Sequence, residues 1–374
     1  YSLGNLYFST NNYSLSQKCY EDILSQDKNY YKAYYAISRI FKQKNNYRKA
    51  LNYCVKALRI KNNFPDALYS ISLILLRKSK FKYGWKFYES RFSKTDPTVI
   101  IGNEKVLPVK KIWKGDLSKK LKILFVTEQG KGDTFQYIRY IGIFKDYGFE
   151  TFLLTTPNLS KILSSYEKVD KIFTDIKNIN INFDYWLPLM SAPYKIYNQI
   201  KYIPNNTPYL FSDSILKKKW SKKIGSKINI GICWKGSIKE RNFDINKLSF
   251  LVGLKNKINL VSLQADNFKD DIKDDNLNKM INCYEKIEDK QNSFVDTAAI
   301  IGNMQLVISC DTSIAHLSSA MNIKTLLVLN PNHYWTWQEN KSFSPWYPSM
   351  TILHIDNTDQ STIKFRDKIF NMIK

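Results

Sequence analysis

Asp133 is the first residue whose type and position could support catalysis. It follows residues 121–127, an apolar run typical of a buried strand, and it comes directly after Gly130 and Gly132 at the start of a helical pattern. Glycines in such a turn let a ligand approach the backbone closely. A carboxylate there could accept a proton from a hydroxyl nucleophile, but Asp is equally favoured as a plain helix N-cap. Spacing alone leaves both interpretations open, and the G-x-G-x-x-G dinucleotide fingerprint is absent.

A second candidate is the segment 309–316, Ser-Cys-Asp-Thr-Ser-Ile-Ala-His, between a strand pattern and a helix pattern. Free N–H groups at a helix start, together with the hydroxyls of Thr312 and Ser313, could bind an anion such as a diphosphate. His316 would lie on the first turn, where it could reach a phosphate or a ribose. The alternative is that these residues only cap the helix and His316 is a packed polar side chain.

Two basic residues follow another strand pattern, the apolar run 228–234. Lys235 comes directly after this run, beside Gly236, and Arg241 lies six residues further on. A cation at this turn could neutralise a departing diphosphate. The ordinary place of a lysine is the solvated surface, which is the competing interpretation.

The sequence does not indicate a metal site. It contains no D-x-D pair, and His316, His333 and His354 have no ligand spacing. The pairs Asp270-Asp271 and Asp274-Asp275 are typical of a solvated acidic loop. Walker and G-x-S-x-G motifs are also absent. We therefore expect metal-independent chemistry without a cofactor.

Alternating strand and helix patterns predict how these residues are positioned. Two β-α-β series indicate two Rossmann-like halves with parallel sheets, and ligands in such sheets bind at the carboxyl ends of the strands. After the strands at 121–127 and 228–234, the predicted strands are 149–155, 171–174, 184–188, 258–263, 280–284, 305–310, 324–329 and 350–355. The predicted helices of the second half are 246–255, 293–303, 313–322 and 359–374.

The N-terminal part repeats with a period of 34 residues. Several columns share this spacing, with small residues where paired helices would touch, which predicts tetratricopeptide repeats. The columns are Tyr13/Tyr47/Phe81, Ser16/Ala50/Gly84, Tyr20/Cys54/Tyr88, Leu24/Leu58/Phe92 and Ala33/Ala67. Fewer than three complete repeats are expected. They could bind a protein partner in a concave groove or act as a structural brace.

The length of the chain and the positions of its helix-breaking residues predict four segments in the 374 residues. Residues 1–95 form the helical array. Residues 96–120 are a connector interrupted by Asp96-Pro97, Gly102, Pro108 and Gly115. Residues 121–222 and 223–374 are the two α/β halves, for acceptor and donor.

The amino-acid composition limits which binding partners and which cellular compartment we expect. The net charge of +24, from 57 basic and 33 acidic residues, fits either an anionic partner or general lysine richness. No RNA-binding signature and no long apolar run occur, so we expect no specific nucleic acid and at most peripheral membrane contact. Five cysteines in apolar surroundings, without C-x-x-C, indicate buried thiols and a reducing compartment, the cytoplasm.

Several blocks along the chain carry a family resemblance. They are Gly84-Trp85-x-x-Tyr88-Glu89-x-Arg91, Trp113-x-Gly115, Glu128-Gln129-Gly130-x-Gly132-Asp133 with Gln136, Arg139 and Tyr140, Pro188-Leu189-Met190-Ser191-x-Pro193, Pro208-Tyr209-Leu210, Gly231-x-x-Trp234-x-Gly236, Ser262-Leu263-Gln264, Asp296-Thr297-Ala298-Ala299, residues 307–317 and Ser344-Pro345-Trp346-Tyr347-Pro348. In these blocks the chain resembles bacterial tetratricopeptide-repeat proteins whose C-terminal region is similar to glycosyltransferase family 9, the heptosyltransferase family.

This resemblance implies a GT-B-type α/β fold and an inverting, metal-independent sugar transfer. It assigns the base to Asp133 and the donor's nucleotide and phosphates to Asp311, Thr312, Ser313 and His316, aided by Lys235 or Arg241. Gln129, Gly132 and Gln264 lie in the matching blocks and are expected in the cleft or at the acceptor. Two departures stand out: Tyr334-Trp335-Thr336-Trp337 replaces Asp-Trp-Arg-Trp, and Arg241-Asn242 replaces Arg-Ser.

The sequence therefore predicts a glycosyltransferase that moves a sugar from a nucleotide-diphosphate donor to a hydroxyl of a glycan, a lipid-linked glycan or a protein. The lost arginine at Thr336 and the repeats motivate an alternative, a catalytically degenerate scaffold that binds protein partners through its repeats.

Overall fold

The computed structural model describes residues 1–93, 100–101, 104–105, 107, 111–265, 269–284, 293–331, 333–356 and 358–373. Four predicted connector breaks, Asp96, Pro97, Gly102 and Pro108, lie outside them. The chain divides into two compact units. One comprises Tyr1–Val99 with Tyr334–Glu339, and the other comprises Ile100–His333 with Asn340–Lys374.

The helical unit contains six α-helices in its described residues. They are α1 (Ser2–Ser9), α2 (Tyr13–Gln26), α3 (Tyr31–Gln43), α4 (Tyr47–Ile60), α5 (Pro65–Arg77) and α6 (Phe81–Tyr88). They pack in successive pairs, α1 with α2, α3 with α4 and α5 with α6. Helices α2, α4 and α6 begin at residues 13, 47 and 81, so the 34-residue period of the sequence is the spacing of the second helix of each pair.

Small side chains lie where paired helices touch. A Cβ atom on Gly84 would come 2.7 Å from Leu76 Cδ2, and the Ser16 hydroxyl donates to the Gly4 carbonyl at 2.8 Å. Larger residues fill the remaining space of the array, since Tyr20 and Tyr88 are fully buried. This is the packing that the repeat columns predict.

A short segment from late in the chain, Tyr334–Glu339, belongs to the helical unit. The Trp335 ring lies edge-on to Trp85, with ring centroids 5.4 Å apart, and the Glu339 N–H donates to the Arg77 carbonyl at 3.1 Å. Thr336, the position at which the sequence resemblance leads one to expect an arginine, is buried within this segment.

The α/β unit begins with a short antiparallel pair, β1 (Ile100–Ile101) and β2 (Glu104–Lys105). A parallel sheet of four strands follows, in the order β5-β4-β3-β6. Its strands are β3 (Lys122–Val126), β4 (Glu150–Leu154), β5 (Lys171–Phe173) and β6 (Tyr185–Pro188), and its helices are α7 (Lys131–Tyr137), α8 (Arg139–Asp146), α9 (Pro157–Leu163) and α10 (Ala192–Ile196).

A second parallel sheet has six strands in the order β12-β11-β10-β7-β8-β9. The strands are β7 (Ile228–Cys233), β8 (Ile258–Ser262), β9 (Ile281–Asn282), β10 (Leu306–Ser309), β11 (Thr325–Leu329) and β12 (Met350–His354). The helices around it are α11 (Ser214–Ile224), α12 (Asp275–Met280), α13 (Val295–Ile301), α14 (Ser313–Ala320) and α15 (Asp359–Ile373).

The core of the second sheet is built from apolar strand residues. Ile230, Ile232 and Ile308 are fully buried, and Phe365 and Ile369 of α15 pack against the same cluster. Strands covered on both faces read as continuous apolar runs, which is why the sequence reveals them clearly.

The predicted helix 246–255 is confirmed over Ile245–Leu254, as a 3₁₀ helix; Val252 and Gly253 near its end are weak α-helix formers. One local prediction is wrong: cysteine burial was expected throughout, but Cys283 is exposed and Cys19 half-buried. Cys283 directly follows β9, which lies at the edge of its sheet and leaves that position uncovered.

Within the described residues, no helix combines the length and the apolar character needed to cross a membrane.

Candidate active site

The predicted site residues follow strands at the middle of each sheet. Asp133 follows β3, and residues 311–316 follow β10. Lys235 follows β7, and Gln264 follows β8. The strand order reverses between β3 and β6 in one sheet and between β7 and β10 in the other. Such a switch point opens a crevice at the carboxyl ends of the strands, where ligands of open α/β sheets bind.

The Asp133 carboxylate is held by the turn that precedes it. Gln129 adopts φ +61°, and Gly130 then begins the helix so that its N–H donates to Asp133 Oδ2 at 3.1 Å. The side chain is neither fully buried nor open to solvent. The N-cap residue of α7 is therefore Gly130, and the interpretation of Asp133 as the N-cap is wrong: Asp133 is the third helical residue, and its carboxylate accepts from the N-cap N–H. The carboxyl group stays partly accessible.

The electrostatics of Asp133 suit a proton acceptor. Burial is the main cause that raises its pKa to about 7, and the nearby carboxylates of Asp311 and Glu128 push in the same direction. The Gly130 N–H and the Arg241 charge oppose the shift. A pKa near neutrality is what a general base needs at physiological pH.

Helices α7 and α14 touch at Gly132. A Cβ atom built there would lie 2.8 Å from His316 Cδ2 and 3.5 Å from Ser313 Cα. Such distances leave no room for a side chain, because real Cβ atoms do not come within 3.0 Å of another heavy atom. Gly132 thus brings the turn carrying Asp133 against the first turn of α14.

The start of α14 is open toward an anion. Thr312 is the N-cap residue in an extended conformation, and its side chain makes no capping hydrogen bond. Its hydroxyl lies instead 3.1 Å from Ser309 Oγ. The positive end of the helix dipole and the N–H groups of the first turn favour a negatively charged group at this point.

The loop after β7 packs on the same helix start. A Cβ atom on Gly236 would lie 2.7 Å from Thr312 Cγ2. Arg241 Nη1 lies 3.4 Å from Asp311 Oδ2, and the Asp311 side chain is only 5% exposed. A buried carboxylate needs such a partner, so Arg241 is fixed beside the first turn of α14.

Lys235 and Gln264 serve the loop itself. Lys235 Nζ lies 2.5 Å from Asp271 Oδ2, which also accepts from Trp234 Nε1 at 3.1 Å. Gln264 Oε1 accepts the backbone N–H groups of Trp234 at 2.8 Å and Lys235 at 3.0 Å. The expectation of a solvated acidic loop is therefore wrong for Asp271, because this half-buried carboxylate binds two donors.

His316 is buried and neutral. Burial lowers its pKa to about 3, and the charges of Arg139 and Arg241 act in the same direction. Its Nδ1 atom lies 2.9 Å from the Tyr347 hydroxyl.

The sequence did not single out Arg139 and Tyr347. Arg139 is 5% exposed and lies over the Tyr347 ring at 4.4 Å. Both residues occur in the blocks that carry the family resemblance, but a helical arginine gives no signal of burial. Only the fold shows that Arg139 is buried against Tyr347, whose hydroxyl lies beside His316.

Among the described residues, no group of three or more His, Cys, Asp or Glu side chains has a geometry that could hold a metal ion.

Comparison with known proteins confirms the repeats. The tetratricopeptide-repeat family model matches residues 1–30 and 31–64, so the N-terminal helices are tetratricopeptide repeats. A search of curated proteins gives no match.

Three solved structures illustrate what the chain is similar to. The E. coli heptosyltransferase WaaC with ADP is 10% identical, with 67% of this chain and 100% of that chain covered and a TM-score of 0.46. The E. coli ADP-heptose LPS heptosyltransferase II is 9% identical, with 68% and 98% covered and a TM-score of 0.48. The Thermobaculum terrenum O-GlcNAc transferase mutant K341M is 9% identical, with 100% and 90% covered and a TM-score of 0.33. All three TM-scores are below 0.5, so the likeness carries no conclusion about activity.

Proposed function

We propose that this chain is a glycosyltransferase that moves a sugar from a nucleotide-diphosphate donor to an acceptor hydroxyl, with Asp133 as the general base. The observation that carries the proposal is the position of Asp133. It is a partly accessible carboxyl group with a pKa near 7, on a helix that touches the anion-attracting start of α14 through Gly132.

The donor diphosphate is proposed to bind at the first turn of α14. The N–H groups there, the hydroxyls of Thr312 and Ser313, and the nearby Arg241 guanidinium supply donors and positive charge. Preorganised donors of this kind stabilise charge that develops on a leaving group. Lys235 joins them in the proposal only if it leaves Asp271, its partner in the structure.

The proposed reaction is one displacement. The acceptor oxygen forms a bond to the anomeric carbon while the bond from that carbon to the diphosphate oxygen breaks. The acceptor proton passes to the Asp133 carboxylate, and the nucleoside diphosphate leaves with the bonding electrons. A single displacement inverts the anomeric configuration. We propose that Arg241 and the α14 dipole stabilise the leaving group without a metal ion.

Two further features support a GT-B-type arrangement of two Rossmann-like domains. The second sheet, numbered from its own first strand, has the order 3-2-1-4-5-6 of doubly wound nucleotide-binding sheets, and the first has the order 3-2-1-4. The sequence blocks that resemble family 9 contain the proposed base and donor residues, which follow β3, β7 and β10.

The acceptor is proposed to be a glycan, a lipid-linked glycan or a protein, with the tetratricopeptide repeats available for a protein partner. The repeats are the feature that favours the alternative, a scaffold without transfer activity. Both functions predict binding of a protein partner, so donor binding and turnover separate them.

Thermal shift against a panel of nucleotide sugars tests donor binding first. A ligand at a hundred times its Kd stabilises the native state by about 2.7 kcal/mol. The best donor is then incubated with and without a chelator, and the product's anomeric configuration is determined by NMR. We expect nucleoside diphosphate release that survives chelation, with inversion. A product with retained anomeric configuration would refute inversion, and loss of activity on chelation would refute metal independence. If no donor binds and none releases nucleoside diphosphate, the scaffold is favoured.

A further inference from the structure

The turn between the two helices of the second repeat pair forms one side of an open cavity. This cavity has a volume of about 390 Å³ and is lined by residues 44–48, Lys78 and Glu339. All of these residues belong to the helical unit. Residues 44–46 join α3 to α4, and Lys78 directly follows α5, so two successive turns of the array contribute to it. We call it the turn cavity.

The lining of the turn cavity carries a net positive charge. It contains one acidic side chain, that of Glu339, and three basic side chains, those of Lys44, Arg48 and Lys78. The surrounding sequence does not offset this charge, because residues 28–65 contain ten basic residues and no acidic one. A cavity lined by one sign of charge raises the local concentration of ligands of the opposite sign.

The repeat fold itself does not require these basic residues. Asn45 and its equivalent 34 positions earlier adopt φ +54° and +60°. Each accepts a hydrogen bond from the tyrosine hydroxyl two positions later, at 2.8 and 2.7 Å. The two turns are therefore built alike, yet the positions equivalent to Lys44 and Arg48 carry Thr10 and Ser14 in the first pair. The charges are not needed to make the turn, which points to a ligand.

Most of the positive charge in the turn cavity is not neutralised by the chain itself. Lys44 and Arg48 are exposed, and neither forms an ion pair within the described part of the chain. Lys78 Nζ lies 3.9 Å from Glu339 Oε2, but the two side chains are 43% and 37% exposed. Such an exposed ion pair is weak, so a stronger anion can replace Glu339 at little cost.

Glu339 indicates what kind of molecule the turn cavity accepts. It ends the segment Tyr334–Glu339, which packs in the helical unit. Its backbone N–H donates to the Arg77 carbonyl at 3.1 Å, while its carboxylate faces Lys78. A peptide with an acidic side chain therefore already lies at the edge of the cavity. The neighbouring wall is held in place, because the Arg77 guanidinium lies 4.6 Å from the centroid of the Tyr47 ring.

We propose that the turn cavity binds an acidic segment of a protein partner, whose carboxylates pair with Lys44, Arg48 and Lys78. Clusters of basic side chains recognise acidic motifs in this way, and arginine pairs with carboxylates through two parallel hydrogen bonds. The bound segment competes with Glu339 for Lys78. This site does not depend on sugar transfer, since it would serve an enzyme that recruits a protein as well as a scaffold.

Fluorescence anisotropy of a labelled hexaglutamate peptide with the full chain tests the site. Arg48→Gln is compared with Lys49→Gln, since both remove one positive charge from neighbouring positions of α4. Lys49 does not line the cavity, and its Nζ lies over the Phe41 ring. At about 50 mM salt, where screening is weak, we expect Arg48→Gln and Lys44→Gln each to weaken binding about two- to fivefold. Lys49→Gln should leave binding nearly unchanged. Equal losses in Arg48→Gln and Lys49→Gln would overturn the site.

Glu339→Gln gives a test of opposite sign. It removes the competing carboxylate, so we expect hexaglutamate to bind about two- to fivefold more tightly. Misfolding cannot produce such a gain. The control is Glu167→Gln, which removes an acidic side chain at an exposed position of the other compact unit. No gain in Glu339→Gln, or an equal gain in both variants, would show that the peptide responds only to the overall charge and would overturn the proposal.

Two further probes test the chemical class of the partner. Hexaglutamine has the same backbone without charge, and oligo(dT) is an anion of a different class. We expect hexaglutamate to bind more tightly than either of them under the same conditions. If oligo(dT) binds more tightly and loses affinity in Arg48→Gln but not in Lys49→Gln, the cavity contacts nucleic acid and the proposal fails. It also fails if hexaglutamate does not bind at about 50 mM salt.

Discussion

As the proposed base, Asp133 must be buried enough to hold a proton near neutral pH and accessible enough to receive one. Its turn achieves this by giving the carboxylate one backbone donor, Gly130, while Asp311 and Glu128 disfavour the ionised form. The Arg241 charge limits the shift. The resulting pKa of about 7 gives two predictions, one for rate and one for stability.

The rate should depend on the ionisation of Asp133. A base acts when deprotonated, so we expect kcat/KM to rise with pH through about 7 and to level off above it. Initial rates of nucleoside diphosphate release in buffers from pH 5.5 to 9 measure this. A profile that is flat between pH 6 and 8 would show that Asp133 is not the titrating base.

Stability should respond in the opposite sense. The folded-state pKa of about 7 lies above the ordinary value of 3.8, so the folded protein binds more protons between these limits and loses stability as pH rises through them. Asp133→Asn removes this loss while its amide oxygen still accepts from Gly130. We expect the variant to be more stable than the wild type by about 1 to 3 kcal/mol at pH 8 and equal to it near pH 4.

Urea denaturation at the two pH values measures this difference. Asp213→Asn is the matched control, because Asp213 caps α11 through the N–H groups of Ile215 and Leu216 and Asn caps as well as Asp. A destabilised Asp133→Asn protein at pH 8 would contradict the account.

At this scale the sequence singled out the candidate residues of the proposed site, but not the side chains that pack around them. Asp133 and the 311–316 block could be found because glycines and capping residues stand at strand ends. Arg139 could not, since its burial depends on Tyr209 and Tyr347, which are 70 and 208 positions away. For Lys235, only the fold shows the pairing with Asp271.

At the scale of elements, the site depends on how closely α7 and α14 approach. Both helices follow strands, so the sequence predicted that each begins at the carboxyl ends of the strands in its own sheet, where ligands bind. Their contact depends on the missing side chain at Gly132, where any Cβ meets the His316 ring.

Gly132→Ala should therefore both destabilise the protein and weaken donor binding. The new methyl group has to displace His316 or separate the helices, and overpacking of this kind costs about 1 to 3 kcal/mol. Gly253→Ala is the control, because no atom lies within 4 Å of its Cβ position, and we expect it to stay within about 0.5 kcal/mol of the wild type. Equal stability and equal donor affinity of the two variants in urea titration and calorimetry would refute the contact.

The strands were predicted well because their apolar runs are short, rich in β-branched residues and followed by turn residues, as buried strands of a parallel sheet are. Their ends were less clear. The predicted strand 280–284 has only two residues, Ile281–Asn282, at the sheet edge. An edge strand has one partner, so its length depends on that neighbour rather than on its own sequence.

At the scale of the whole molecule, one compact unit is built from two separate stretches of the sequence, Tyr1–Val99 and Tyr334–Glu339. The repeats appear in the sequence as a period, because each pair of helices must meet the next in the same way. Segment Tyr334–Glu339 has no such signal. Its aromatic residues pack in the helical unit although they lie between β11 and β12 in sequence.

The segment should therefore stabilise the repeats. Trp335 is 4% exposed and its ring contacts Trp85 and Tyr88, so Trp335→Ala should cost about 3 to 5 kcal/mol. We expect faster amide hydrogen exchange in α5 and α6. The control is Tyr83→Ala, since the Tyr83 ring on α6 is 54% exposed. Unchanged exchange in the Trp335 variant would show that the segment is not part of the repeat core.

The central claim is that Asp133 removes the acceptor proton during sugar transfer. It is tested most directly by nucleoside diphosphate release from the selected donor at pH 8, in the presence of acceptor, for wild type, Asp133→Asn and Asp213→Asn. We expect Asp133→Asn to bind the donor normally but to turn over about 10² to 10⁴ times more slowly, while Asp213→Asn matches the wild type. Wild-type turnover by Asp133→Asn would contradict the account.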